Sequence, residues 1–173
     1  LTSMKVDCTT AAAAGSTDWV VVRTKLEGYD CTVFKYGTSD AEVLTISFWV
    51  KSTKTGTYIC SINDNTNTDQ VAVSYTVDTT KTWEKKVLTI PAKTSGALAN
   101  SNASAFSVFF FLVAGSTYTS GTLATSWESW TAANVAVGQV NALDSTSNNF
   151  LITGVQLEVG EYTSSTIPPF QHE

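Results

Sequence analysis

Short stretches in which apolar and more polar residues alternate recur along the whole chain. In the clearest of them, residues 42–51, one face is formed by Leu44, Ile46, Phe48 and Val50. Successive side chains of a β-strand point to opposite faces, so this spacing predicts a strand that covers a core on one side. Such stretches return roughly every eight to twelve residues between turn-forming residues, and no helical period persists. The chain is therefore predicted to be all-β.

The other predicted strands have the same two-residue period. They cover residues 1–7, 18–27, 31–36, 57–62, 71–77, 83–90, 105–114 and 149–160. Residues 54–56 form a predicted turn, from which we expect residues 57–62 to pair back on residues 42–51 as a hairpin. The segments 9–17, 93–104 and 115–126 are predicted to be loops, and residues 127–140 remain ambiguous.

The stretch 105–114 constrains the number of layers. Apolar side chains occupy both of its faces: Phe106, Val108, Phe110 and Leu112 on one, Phe109, Phe111 and Val113 on the other. Both faces must be covered, which requires a second layer or a second subunit. With so many strands, this predicts a two-sheet β-sandwich. At this length, residues 1–173 are most simply one domain.

The longest alternating stretch, residues 149–160, lies near the end of the chain. The series Leu151 to Val159 alternates with the series Phe150 to Glu158. The first series is predicted to face a core throughout, and the second to be buried at first and then to reach solvent or a partner. Gly154 interrupts the strand, and a glycine at such a place often marks a bulge.

Composition excludes several classes of partner. The net charge is −5, and no basic stripe is present, which argues against a nucleic-acid partner. No apolar run reaches the ~20 residues needed to span a bilayer, so no membrane insertion is expected. Cys8, Cys31 and Cys60 lie far apart without metal-ligand spacing and are predicted to be buried or half-buried thiols.

The sequence offers little for catalysis. Its one histidine, His172, is the second-last residue, so a Ser-His-acid triad would depend on the end of the chain. A glycosidase needs two carboxyl groups facing each other across a sugar, and Glu84 and Glu128 are candidates for such a pair. Solvated turn or strand-end carboxylates are the alternative. We therefore expect a protein that is not an enzyme.

The run of oxygen donors at residues 63–69 has the ligand type that calcium prefers. It lacks the glycine and the glutamate of an EF-hand loop, so a hairpin loop is the preferred interpretation. We expect no metal site and no cofactor; a structural Ca²⁺ is not supported by any motif.

The tryptophans are the more informative residues. Trp49 lies on the polar face of its strand, and Trp83, Trp127 and Trp130 lie at strand starts or in loops. The flat C–H faces of sugars stack on such rings, so these four residues, with Glu84, are the candidate ligand-binding set. The alternative is that they fill the core or an interface between subunits.

Three segments resemble bacteriophage tail-fibre and virion proteins. The first is LTISFWVKS at residues 44–52 with KTGTY at 54–58. The second is TWEKK at 82–86 with TIP at 89–91, and the third is ITGVQLEVG at 152–160 with PF at 169–170. The segments keep their order over roughly residues 40–170. Related modules often carry an aspartate where this chain has Thr153 and Gly154, so no calcium site is implied there.

The resemblance implies a jelly-roll module like those of carbohydrate-binding domains, as a piece of a longer fibre or virion protein. Such fibre proteins are commonly homotrimers on the virion surface that touch host-surface glycans. We therefore expect a non-catalytic receptor-binding domain with a host glycan and other virion proteins as partners. A capsid-decoration or fibre-assembly domain without sugar binding is the alternative, and a glycan depolymerase is a third possibility.

Overall fold

A computed structural model describes residues 2–171, so the candidate His172 lies outside the described residues. The strands are β1 (Met4–Asp7), β2 (Trp19–Glu27), β3 (Leu44–Ser52), β4 (Gly56–Asp64), β5 (Asp69–Val77), β6 (Glu84–Ile90), β7 (Ser104–Ala114), β8 (Glu128–Ser129) and β9 (Asn149–Val159). A single helical turn, α1, spans Ser116–Thr119, and 3-10 turns span Thr32–Phe34 and Ala132–Asn134. Within residues 2–171, no helix has the length and apolar character to cross a membrane.

The strands form two antiparallel sheets, as predicted. Sheet A has the order β1-β9-β3-β6, and sheet B has the order β2-β7-β4-β5-β8. Four antiparallel pairs are nested in the sequence, so that each pair encloses the next one: β1 with β9, β2 with β7, β3 with β6 and β4 with β5. This nesting of pairs, split between two sheets, is the jelly-roll arrangement.

The main core lies between the two sheets. Its largest fully buried side chains include Phe48 of β3, Tyr58 of β4, Phe106 of β7 and Phe150 of β9. Aromatic rings meet across the layers, since the Phe48 ring is edge-on to Phe110 with centroids 4.9 Å apart. The prediction that Leu44, Ile46, Phe48 and Val50 share one core-facing side of β3 is confirmed, because all four are buried in this core.

The prediction for β9 is only half right. Phe150 and Ile152 face the core before Gly154, whereas Leu157 and Val159 pack against it afterwards. The register with β3 shifts between Ser47 and Trp49, opposite Gly154, whose φ is +60°. The predicted bulge is therefore present, and the extra residue exchanges the inward and outward series. No single series faces the core throughout.

Two further predictions are wrong. Strands β3 and β4 do not form a hairpin: β3 pairs with β6 and β9, and β4 pairs with β5 and β7. Both strands direct a full apolar face into the same core, so they oppose each other across the sandwich. Residues 31–36 are not a strand but contain a 3-10 turn, with Lys35 in the left-handed region at φ +53°. Phe34 and Tyr36 are buried all the same.

The outer face of β7 is covered by the chain itself. Residues 115–136 leave β7 through α1, fold back over sheet B and form a second, smaller core. Buried in it are Ile59, Ala72, Phe109, Phe111, Val135 and Ala136. This covering segment is held to sheet B by the backbone N–H of Ala72 in β5, which donates to Ala124 O at 2.7 Å. A second layer within the same subunit thus satisfies the requirement that both faces of β7 be covered.

Candidate functional site

The outer face of sheet B contains a cleft of about 350 Å³. It lies beside the covering segment, in the middle of the sheet. Its lining residues come from β2, β4, β7 and the segment that follows β7: Trp19, Ser61, Asn63, Phe109, Phe111, Tyr118, Trp130 and Val135. Five of these eight are aromatic. An apolar concavity with a few polar groups is the usual form of a small-ligand site.

Strand register builds the floor of the cleft. Phe109 and Phe111 are alternate residues of β7, so both rings point outward. Ser61 of β4 is the register partner of Phe109 and stands beside it on the same face. Two residues further along β4, Asn63 is opposite Ser107. The floor is therefore an aromatic strip from β7 next to a polar strip from β4.

Exposed tryptophans from distant parts of the chain belong to the walls. The ring of Trp19 packs against Phe109, Phe111 and Tyr118 at centroid distances of 6.0, 5.9 and 5.8 Å. Trp130 is held by its backbone N–H, which donates to Thr68 O at 2.9 Å. The two indoles remain 46% and 45% exposed, so much of each ring is free to contact a ligand.

A polar atom in the cleft lacks a partner. Ser61 is 1% exposed, and its Oγ makes no hydrogen bond among residues 2–171. Leaving a buried hydroxyl unpaired costs about 1–3 kcal/mol, so native proteins rarely do it without a reason. A ligand hydroxyl in the cleft would satisfy this atom. The side chain of Asn63, half-buried nearby, also has no hydrogen-bond partner in the part of the chain that is described.

Next to the cleft, the oxygen-rich run forms the hairpin loop between β4 and β5, as preferred from the sequence. Its oxygens contact a lysine: Lys93 Nζ lies 2.9 Å from Asp64 Oδ2 and 3.0 Å from Asp69 Oδ2. The same ammonium donates to Ser95 O at 2.7 Å and Gly96 O at 3.1 Å. The Lys93 ammonium therefore lies among four oxygen atoms, two from carboxylates and two from backbone carbonyls. No group of three or more His, Cys, Asp or Glu residues within 2–171 has metal-ligand geometry.

Trp49 and Trp83 lie on the opposite side of the molecule, on the outer face of sheet A. They are 43% and 37% exposed. Trp49 is the register partner of Lys85, and Lys51 Nζ lies 5.1 Å from the centroid of the Trp83 ring. Two tryptophans and two lysines thus lie together on the outer face of sheet A, and we call this surface the sheet A patch. Its exposed indoles offer surface for stacking.

Trp127 and Glu84 have structural partners. The Trp127 Nε1–H donates to Pro91 O at 2.8 Å, and its ring packs edge-on against Tyr36. Glu84 accepts hydrogen bonds from the backbone of Thr79 at 2.7 Å and lies 2.7 Å from Lys86 Nζ. Partial burial alone would raise the pKa of Glu84. The hydrogen bonds from Lys86 and the Thr79 and Asp78 backbone outweigh it, so the pKa is lowered.

Glu128, the other sequence candidate for an acid, lies in β8 at the edge of sheet B, whereas Glu84 lies in sheet A. Its Oε1 accepts hydrogen bonds from Gln70 at 3.0 Å and Asn134 at 2.9 Å. The three cysteines are buried free thiols, as predicted. Burial raises the pKa of Cys31 to about 12, so this thiol is not a thiolate nucleophile at neutral pH.

Of the sequence candidates, only Trp130 lines the cleft. Trp49, Trp83, Trp127 and Glu84 lie elsewhere. The sequence reasoning missed Trp19, Ser61 and Tyr118. One signal was available. Strand 105–114 is apolar on both faces and requires a cover, and a cover that leaves part of the sheet face open forms a cleft. Comparisons of the chain with known protein families, characterised proteins and solved structures found no match.

Proposed function

We propose that this protein is a non-catalytic glycan-recognition module whose binding site is the cleft on sheet B. The observation that carries the proposal is the combination of exposed Trp19 and Trp130 rings with the unpartnered, buried Ser61 hydroxyl in one concavity. Sugars present both C–H faces that stack on aromatic rings and hydroxyl groups that bind polar side chains. The cleft supplies a partner for each.

A binding role rather than catalysis is supported by the chemistry of the lining. The residues around the cleft include no aspartate, glutamate or histidine within the described chain. Glu84 and Glu128, which a depolymerase would use as acid and base, belong to different sheets and are engaged by structural partners. The three segments that resemble phage fibre proteins support a place on a virion surface, with host-surface glycan as the ligand.

Binding of an oligosaccharide library, measured by titration calorimetry, tests this proposal. Trp130→Ala removes a stacking wall and is expected to weaken binding about tenfold or more. Trp49→Ala is the matched control, since it removes an equally exposed indole from the other sheet and is expected to leave the affinity unchanged. Loss of binding in Trp49→Ala but not in Trp130→Ala would move the site to the sheet A patch, and no binding by any glycan would refute the proposal.

A second candidate function is assembly. The sheet A patch exposes large parts of Trp49 and Trp83, and exposed aromatic side chains are enriched at interfaces between subunits. Under this proposal the protein is a homotrimer or another oligomer within a virion. Sedimentation velocity would then show a smaller species for Trp49→Ala and no change for Trp130→Ala. An unchanged sedimentation coefficient in Trp49→Ala would contradict it.

A further inference from the structure

One rim of the cleft carries a positive charge that forms no ion pair within residues 2–171. Arg23 lies on β2, and its register partner is Phe109 of the cleft floor. Its Cζ lies 5.6 Å from the centroid of the Phe109 ring. Because Ser61 is the partner of Phe109 on its other side, Arg23, Phe109 and Ser61 form one row across three strands. The Arg23 guanidinium therefore belongs to the same row as the Ser61 hydroxyl, with Phe109 between them.

Lys25 extends this charge along the same edge. It is two residues beyond Arg23 on the outward face of β2, and its partner is Ser107, which in turn is opposite Asn63. A second row therefore places Lys25, Ser107 and Asn63 side by side. Both Arg23 and Lys25 are exposed. The two cations lie on β2, and β7 separates them from the strip of polar residues that β4 contributes to the cleft.

Arg23 and Lys25 are two of the five basic residues that form no ion pair within residues 2–171. Lysine and arginine number 10 against 15 acidic residues, and the net charge is −5. Five lysines form ion pairs with carboxylates: Lys5, Lys35, Lys54, Lys86 and Lys93. In the described residues, no carboxylate oxygen lies within 4.0 Å of Arg23 or Lys25, although Glu27 is only two positions beyond Lys25.

We infer that the cleft takes an acidic sugar, one that carries a carboxylate. This inference rests on the proposed glycan-binding function and names its ligand class. The sugar ring stacks on the exposed indoles of Trp19 and Trp130. A hydroxyl group bonds to Ser61 Oγ, and the carboxylate meets Arg23, with Lys25 adding charge. A guanidinium binds a carboxylate through two parallel hydrogen bonds, which gives orientation as well as affinity.

Carboxyl reduction provides the decisive pair of ligands. Oligosaccharides of glucuronic, galacturonic and sialic acid are titrated beside the same oligosaccharides after their carboxyl groups are reduced to alcohols. The linkages are unchanged, and each carboxylate is replaced by an uncharged hydroxymethyl group. At least one acidic form is expected to bind at least about tenfold more tightly than its reduced form, and its affinity is expected to fall with salt.

Variants of Arg23 separate this inference from the proposed function. Arg23→Gln is expected to weaken binding of the acidic sugar about tenfold and to leave binding of the reduced sugar unchanged. Arg23→Lys keeps the charge but cannot form the two parallel hydrogen bonds. Its affinity for the acidic sugar is expected to lie between those of the wild type and Arg23→Gln. Lys85→Gln is the control and is expected to have no effect, because it removes an exposed cation of the other sheet that forms no ion pair within residues 2–171.

The possible failures are distinct. Equal binding of acidic and reduced forms, or an equal loss for both in Arg23→Gln, would overturn the acidic-sugar inference while leaving glycan binding intact. Absence of binding by every acidic and neutral saccharide at millimolar concentration would overturn the proposed function and this inference together. An effect of Lys85→Gln as large as that of Arg23→Gln would show that the charge acts at long range and would also overturn the direct contact.

Discussion

Lys93 shows how one residue can stabilise a turn that would otherwise concentrate negative charge. Its side chain is 2% exposed and that of Asp64 is fully buried, so this ion pair is removed from water. Asp64 also accepts hydrogen bonds from the backbone of Thr66 and Asn67, which sets the conformation of the hairpin loop. The ammonium therefore fixes both the loop between β4 and β5 and the segment that follows β6.

Replacing Lys93 with Met is expected to destabilise the protein by about 3–5 kcal/mol, because it leaves a buried carboxylate without its cation. Lys54→Met is the matched control, since its pair with Asp144 is more than a third exposed on each side. That change should cost less than about 1 kcal/mol. Urea denaturation measures both, and equal losses in the two variants would contradict the account of Lys93.

The sequence predicted the hairpin loop at residues 63–69 but not the residue that completes it. The oxygen donors are adjacent in the chain and could be recognised by their type. Lys93 comes from a different loop, beyond β6, and nothing in its local pattern distinguishes it from the surface lysines. Side-chain types that cluster in sequence can be interpreted directly, whereas a partner brought by the fold cannot.

Among the strands, β9 depends on a single glycine for which of its side chains face the core. Gly154 adopts φ +60°, and it separates a half in which even-numbered residues face the core from a half in which odd-numbered residues do. The glycine predicted a bulge. It did not predict which side chains would face the core after the bulge, because the alternation in the sequence looks the same with or without one extra residue. The bulge places Leu157 and Val159 inward and leaves Gln156 on the outside.

Gly154→Ala is expected to lower the free energy of unfolding by about 1–2 kcal/mol, because the left-handed conformation is costly for a residue with a Cβ. The added Cβ would lie 3.6 Å from Trp49 Cδ1, an ordinary contact, so crowding does not add to the loss. Gly154→Asn should lose less, since asparagine tolerates this conformation. Thermal unfolding of both variants measures the difference, and equal stability of wild type and Gly154→Ala would contradict the assignment.

The error on β3 and β4 also has a physical cause. A short turn between two alternating stretches predicts a hairpin, and residues 54–56 are such a predicted turn. In a sandwich, however, the same short connection can carry the chain from one sheet to the other. Phe48 of β3 and Tyr58 of β4 enter the same core from opposite sheets, so the two strands face each other across the core instead of pairing by hydrogen bonds. Local patterns predicted the strands well and their partners poorly.

For the whole molecule, the cleft is the part that sequence could predict least. Trp19 precedes Trp130 by most of the chain's length, and the two are brought together only because β2 pairs with β7 and the covering segment returns over sheet B. The strand count and the two covered faces of β7 predicted the sandwich. Predicting the cleft would have required the order of the strands within sheet B, and that order depends on the topology of the whole chain.

The molecule has two apolar clusters, and they are expected to differ in cooperativity. The main core joins both sheets, whereas the smaller core joins sheet B only to residues 115–136. Most contacts of the covering segment are therefore with one face of one sheet. Segments with few long-range apolar contacts can open without global unfolding. The walls of the cleft that come from this segment would open with it.

Matched valine truncations test this difference. Val50 is fully buried in the main core and Val135 is 5% exposed in the smaller one, so each Val→Ala change removes the same buried atoms. Val50→Ala should cost about 2 kcal/mol of global stability and speed exchange of the slowest amide hydrogens in both sheets about thirtyfold. Val135→Ala should speed exchange mainly within residues 115–136. If Val135→Ala accelerates the amides of β3 and β9 to the same extent, the covering segment unfolds together with the sandwich, and the two clusters form one cooperative unit.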